Sequence, residues 1–152
     1  MSVTEKIELQ DPTLLRDSLF IAGEWTPSSD DSRTVVTNPA TGQVIAEVSM
    51  ATAEDVQRAI NFADSAFKSW AQMTAIARAK IMRNWFQLTL DNVEDLARIL
   101  TSEQGKPLAE ARAEIIYGAG FMEWYAAEGK RLYGETIPTK VVGRRLLTSR
   151  QR

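Results

Sequence analysis

A chain of 152 residues with a formal net charge of −2 is long enough to bury one core and carries no excess of positive charge to hold a polyanion, so nucleic acid is not expected as a partner. It contains no cysteine and no histidine. That excludes a thiol nucleophile, a Ser-His or Cys-His pair, an imidazole base and the usual zinc ligands, and leaves Asp, Glu, Lys, Tyr, Ser and Thr for any chemistry this chain does alone.

No apolar run approaches the roughly 18 residues of a membrane span, so no membrane partner is expected. The opening MSVTEKIELQDP lacks the apolar centre of a signal peptide, and a cytoplasmic location is the expectation. Residues 1–17 are expected to form a loose arm. Leu19-Phe20-Ile21 and Glu24-Trp25 flank Ala22-Gly23, a strand, a tight turn and a return, with Gly23 supplying the positive φ that such a turn needs. Pro27 to Ser32 is loop by composition, and β-branched Thr34-Val35-Val36-Thr37 suits a strand. Asn38-Pro39-Ala40-Thr41-Gly42 makes a turn, and Val44 to Val48 another strand.

Helices follow. Thr52, with Asp55 three residues on, starts the first in the manner of a capping box, and Val56, Ile60, Ala63 and Phe67 form its apolar stripe. Thr74 caps a second helix with Ile81, Trp85 and Leu88 on one face. Asn92 caps a third, with Val93, Leu96, Ala97 and Leu100 inward, and Gly105 ends it. Pro107 sits at the start of the longest helix, whose core stripe is Leu108, Ala111, Ile115, Ala119, Met122 and Ala126. Gly129 and Gly134 loosen or end that helix, Thr136-Ile137-Pro138 leads out in extended form, and Arg144 to Arg150 reads as the start of a strand.

The stretch from Leu96 to Pro138 holds most of the candidate chemistry, and each candidate has a structural reading beside it. Glu110, Glu114, Glu123 and Glu128 invite a paired-carboxylate reading, and Glu110 and Glu114 are four apart on one helix face, but spacing alone shows no cleft and a solvated face explains them. Lys106 lies in a Gly-Lys-Pro helix corner, where a surface role suffices. Gly118-Ala119-Gly120 lies inside a helical pattern, whereas a dinucleotide cradle needs its glycines between a strand and a helix N-terminus. Close helix packing accounts for this pair. Trp70, Trp85 and Trp124 are expected to be core or interface anchors, and Arg144, Arg145, Arg150 and Arg152 a solvated strand end.

Taken in order, Leu19–Trp25, Thr37–Gly42, Arg83–Phe86, Thr101–Ala111, Phe121–Ala126 and Tyr133–Pro138 resemble the N-terminal part of an NAD(P)-dependent aldehyde dehydrogenase. Within that superfamily the wording is most similar to the succinate- and glutarate-semialdehyde dehydrogenases. The resemblance runs from about residue 18 to 151. It implies an α/β fold, of which this piece is a small antiparallel β element followed by four helices, an incomplete nucleotide-binding domain. The implied division is an N-terminal arm (1–17), part of the nucleotide-binding domain (18–138) and a strand leading to the remainder (139–152).

The family's chemistry uses a Cys thiolate on the aldehyde, hydride transfer to NAD or NADP, an Asn in the oxyanion hole and a Glu that activates water. None of these groups can be matched here, and Gln151-Arg152 puts arginine where the family has proline. The resemblance therefore implies no catalytic residue, no cofactor contact and no metal ligand in this chain. Matching by position places Tyr117 and Phe121 on the aldehyde entrance channel. The expectation is an N-terminal fragment of a semialdehyde dehydrogenase, inactive alone, binding no cofactor, with helical stripes facing water and an unpaired last strand. The alternative is a non-catalytic interaction module that associates with a full-length homologue or with itself.

Overall fold

A computed structural model describes residues 6–150. Three separate two-stranded antiparallel sheets and four helices are present among them. β1 (Leu19–Ile21) pairs with β2 (Glu24–Thr26), and β3 (Arg33–Thr37) pairs with β4 (Val44–Ser49). The helices are α1 (Ala53–Gln72), α2 (Ala75–Asp91), α3 (Val93–Gln104) and α4 (Leu108–Glu128). A short ribbon of β5 (Thr136–Ile137) and β6 (Leu146–Leu147) follows.

The turns form where the sequence permits them. Between β1 and β2 both Ala22 (φ 57°) and Gly23 (φ 87°) are left-handed, the geometry whose twist matches that of the flanking strands. Between β3 and β4 the Asn38 carbonyl accepts from Gly42 N at 2.7 Å, and the Asn38 side-chain carbonyl accepts from Ala40 N at 2.9 Å. The loop from Pro27 to Ser32 is then clasped to the start of α1. Thr52 and Asp55 form a reciprocal capping box, and the fully buried Asp55 carboxylate also accepts from Ser29 N at 3.1 Å.

The core lies where α4 packs along α2 and α3. On α4 the expected stripe of Leu108, Ala111, Ile115, Ala119, Met122 and Ala126 is buried or half-buried, as its periodicity requires. Ala111, Ala119 and Ala126 are at most 1% exposed, so the helices approach closely over small side chains. Glu94 of α3 ties the same layer together, meeting Arg112 of α4 at 2.6 Å and Arg98 at 3.3 Å. The hydrogen bond from Arg112 lowers the Glu94 pKa below the ordinary glutamate value.

The structure corrects four expectations and narrows two others. The described part of the arm is docked rather than loose. The buried Asp95 carboxylate of α3 accepts from Gln10 N at 3.0 Å and Asp11 N at 2.8 Å, and Asp11 caps a 3-10 turn at Pro12–Leu14. On α2, Ile81, Trp85 and Leu88 share one face as expected and that face is exposed, while Ala79, Met82, Phe86 and Thr89 turn inward. This helix is apolar on two faces, and the inward one is the face that meets the alanines of α4. Asn92 holds the N-cap position of α3 but turns back, donating from its amide to the Leu88 carbonyl at 2.8 Å.

Gly118 and Gly120 do not serve close packing within this chain, since a Cβ on either would meet nothing within 4 Å. Trp70, Trp85 and Trp124 are 36–63% exposed, so of the two expected roles, core or interface anchor, the core one is not taken within this chain. The last strand is not unpaired either: β6 pairs with β5, and Thr148 N donates to the Glu135 carbonyl at 2.9 Å. One further expectation does appear as stated: Val56, Ile60 and Phe67 of the α1 stripe face water.

Candidate functional site

Four aromatics of α4, Tyr117, Phe121, Trp124 and Tyr125, are exposed. At 100° per residue, Tyr117, Phe121 and Trp124 lie on the side of α4 opposite to Ala119, Met122 and Ala126. Tyr117 and Phe121 meet edge to face with ring centroids 5.0 Å apart, a favoured aromatic geometry. With Gly120, Trp124 and Tyr125 they line a shallow groove of about 350 Å³. Gly120, which lines the groove without a side chain, keeps this face low beside the rings.

Its chemistry is limited and clear. No carboxylate, lysine or arginine lines the groove. It offers ring faces, apolar edges and two phenol groups, which suits the apolar part of a small ligand. The two residues named from the sequence as channel candidates, Tyr117 and Phe121, are brought together on one exposed face.

The other candidates fall elsewhere. Lys106 is ion-paired to Glu114, which uses the lysine corner to staple the start of α4. Glu110 is exposed on the same helix, and Glu128 pairs with Arg131 just beyond its end. Arg144, Arg145 and Arg150 are exposed on and beside the β5–β6 ribbon, and Arg152 lies outside the described residues. No three metal-ligating side chains gather among the described residues. No helix among them is long and apolar enough to cross a membrane.

A second groove, of about 510 Å³, was not foreseen from the sequence. It lies between the β1–β2 turn and α1, lined by Phe20, Ile21, Phe62, Ala63 and Ala66. It too lacks a carboxylate, lysine or arginine. Two buried carboxylates were also not foreseen as anchors. Asp55 and Asp95 each take up backbone N–H groups from loops far away in sequence, and both are consumed by that structural role.

Comparison with known proteins gives these faces a context. The profile of the aldehyde dehydrogenase family matches residues 25–151. Glutarate-semialdehyde dehydrogenase of Pseudomonas putida is 46% identical over 95% of this chain, and the NADP(+) succinate-semialdehyde dehydrogenase GabD of Escherichia coli is 45% identical over the same share. The chain spans about 30% of the length of each of these relatives. Among solved structures, an E. coli NADP-dependent enzyme superposes with a TM-score of 0.87 at 46% identity, covering 92% of this chain and 29% of that one. Succinate-semialdehyde dehydrogenase from Burkholderia pseudomallei superposes with a TM-score of 0.86 at 47% identity, covering 91% and 29%. With both the strand and helix framework and most of the sequence accounted for in this way, the chain belongs to the aldehyde dehydrogenase family.

Proposed function

We propose that this chain forms the outer, N-terminal part of the nucleotide-binding domain of a semialdehyde dehydrogenase, with the outer face of α4 as one wall of the aldehyde entrance channel. The observation that carries this reading is the exposed, charge-free aromatic groove of Tyr117, Phe121 and Trp124 on a chain of this family. The similar proteins from P. putida and E. coli are named for glutarate semialdehyde, 3-sulfolactaldehyde and succinate semialdehyde, all aldehydes with an acidic far end. A groove without a cation suits the carbon chain of such a substrate, and the countercharge for its acid group belongs to another part of the enzyme. The channel residues select and orient the aldehyde; they do not react with it.

The chain alone does not carry the chemistry. It has no cysteine to form the thiohemiacetal. It also does not fit the dinucleotide the family uses. Its only closely spaced glycine pair, Gly118 and Gly120, sits in the middle of α4, where backbone N–H groups are taken by the helix rather than presented at its N-terminus. No cofactor contact is assigned to it, and NAD or NADP is held by the remainder of the enzyme.

Two measurements test this. Purified chain given succinate semialdehyde with NAD or NADP should form no NAD(P)H. A chimera joining this chain to the remaining portion of the E. coli relative should form it, and Tyr117→Ala or Phe121→Ala in that chimera should raise KM about tenfold, equal to ~1.4 kcal/mol of lost contact, with kcat little changed. An active chimera indifferent to both substitutions would remove the channel assignment. The exposed faces of α1, α2 and α4 also favour a second reading, a non-catalytic module that binds a full-length homologue or itself.

A further inference from the structure

We propose that the concavity between the early turns of α2 and the end of α4 binds a compact phosphoryl anion, of the class of pyrophosphate or a terminal phosphate ester. The sequence places the parts. Ile76, Ala79, Lys80, Arg83 and Asn84 recur at helical spacing and share one face of α2. The two helices run in opposite directions: late in α2, Thr89 meets Met122 of α4, whereas Lys130, just past the end of α4, joins the early turns of α2. Together these six residues line a hollow of about 220 Å³. Three positive charges share that space, and no carboxylate lines it.

The charge is left uncompensated. Elsewhere the chain pairs its cations with carboxylates, Arg33 with Asp17, Arg58 with Asp55 and Arg112 with Glu94. Among the described residues, the side chains of Lys80, Arg83, Asn84 and Lys130 have no hydrogen-bond or ion-pair partner. Glu128, two residues before Lys130, is taken by Arg131. Lys80 and Arg83 are three apart on one helix face, where like charges repel. The first turn of α2 carries no acidic residue, so the positive end of the helix dipole adds to the same potential. An anion with two or more charges, seated between the three cations, turns that repulsion into attraction.

The donors name the class. The planar guanidinium of Arg83 presents paired N–H groups that match two oxygens of a phosphoryl group. Lys80 and Lys130 add point charges, and the Asn84 amide can donate to a further oxygen. A phosphoryl group has three terminal oxygens to meet these donors, whereas a single carboxylate satisfies the guanidinium and leaves the others without an acceptor. Ala79, 5% exposed, forms an apolar floor that keeps water from one side and strengthens the charge interactions above it. The site is independent of the channel reading, since none of its residues lines the aromatic groove.

Calorimetric titration of the 152-residue chain with inorganic pyrophosphate at low ionic strength tests this. Binding should saturate at one anion per chain, weaken as salt rises, and exceed that of succinate at least tenfold. Arg83→Gln and Lys130→Gln should each weaken it at least tenfold with circular dichroism unchanged, while Lys140→Gln, at an exposed lysine outside the hollow, should not alter it. The same ratios should hold in the chimera described above, a reading that does not depend on the isolated chain staying in solution. Absence of saturable binding overturns the proposal, as does equal weakening by all three substitutions, which would mean attraction to surface charge in general. Succinate binding as tightly as pyrophosphate overturns the phosphoryl assignment.

Discussion

Replacing Gly118 and Gly120 together by alanine should stabilise the isolated chain, although both glycines lie in the middle of its longest helix and beside its candidate site. Each occupies a helical position with no positive φ, and a methyl group at either would meet nothing within 4 Å. The substitution therefore brings no clash and removes only the entropic penalty of glycine, about 0.8–1.0 kcal/mol per site in a helix interior. The pair together gives about 2 kcal/mol, and for a chain of this size ~2–4 °C per kcal/mol converts that to a rise of about 4–8 °C in the unfolding midpoint. Thermal and urea unfolding followed by circular dichroism would measure it. Gly105→Ala serves as the opposing control. Gly105 has φ 76° and its Cβ would lie 2.9 Å from the Pro39 side chain, so alanine there should lower the midpoint. A double variant at 118 and 120 that melts at or below the parent temperature would refute the claim that the space above α4 is open.

The remaining predictions concern the anchors. Asp55 is lowered from 3.8 to about 2, first by hydrogen bonds from the backbone of Ser29 and Thr52. Because its folded pKa lies below its unfolded one, the stability it contributes is present above about pH 4 and is lost as pH falls through about 2. Asp55→Asn should lower stability at neutral pH and flatten the acid limb in that window, as read by denaturation at a series of pH values. Asp95→Ala should release the arm, seen as faster amide hydrogen exchange at Gln10 and Asp11 with little change in α4; unchanged protection would mean that the two hydrogen bonds do not hold it. Ala119→Leu should destabilise by about 1–3 kcal/mol through overpacking of the α2–α4 contact, where Ala119 is 1% exposed, and a neutral result would show that contact to be loose.

Local structure was legible wherever local chemistry decides it. The capping box of Thr52 and Asp55, the Asn38–Gly42 turn, the left-handed Gly105 at the end of α3 and the inward stripe of α4 all follow from short-range rules. The order of motifs from Leu19 to Pro138 carried the family as well, because residue identities at turns and corners are more specific than apolar periodicity. Tyr117 and Phe121 were named from position along α4, and the fold places their rings in contact.

What the sequence could not determine was which of two possible apolar faces turns inward. On α2, Ile81, Trp85 and Leu88 repeat as regularly as Ala79, Met82 and Phe86, and only the alanine face of α4 selects the second set. The same holds for Asp55 and Asp95. A carboxylate near a helix start looks like a cap in either case, and its burial under a distant loop arises only when the tertiary fold brings the loop's N–H groups to it. Gly118 and Gly120 show the limit most sharply. Their place inside a helix implies close packing, but in the folded chain the space beside each is open. Periodicity reports where apolar surface lies along a helix; tertiary packing decides which of that surface is covered, because covering it requires a second surface of matching shape.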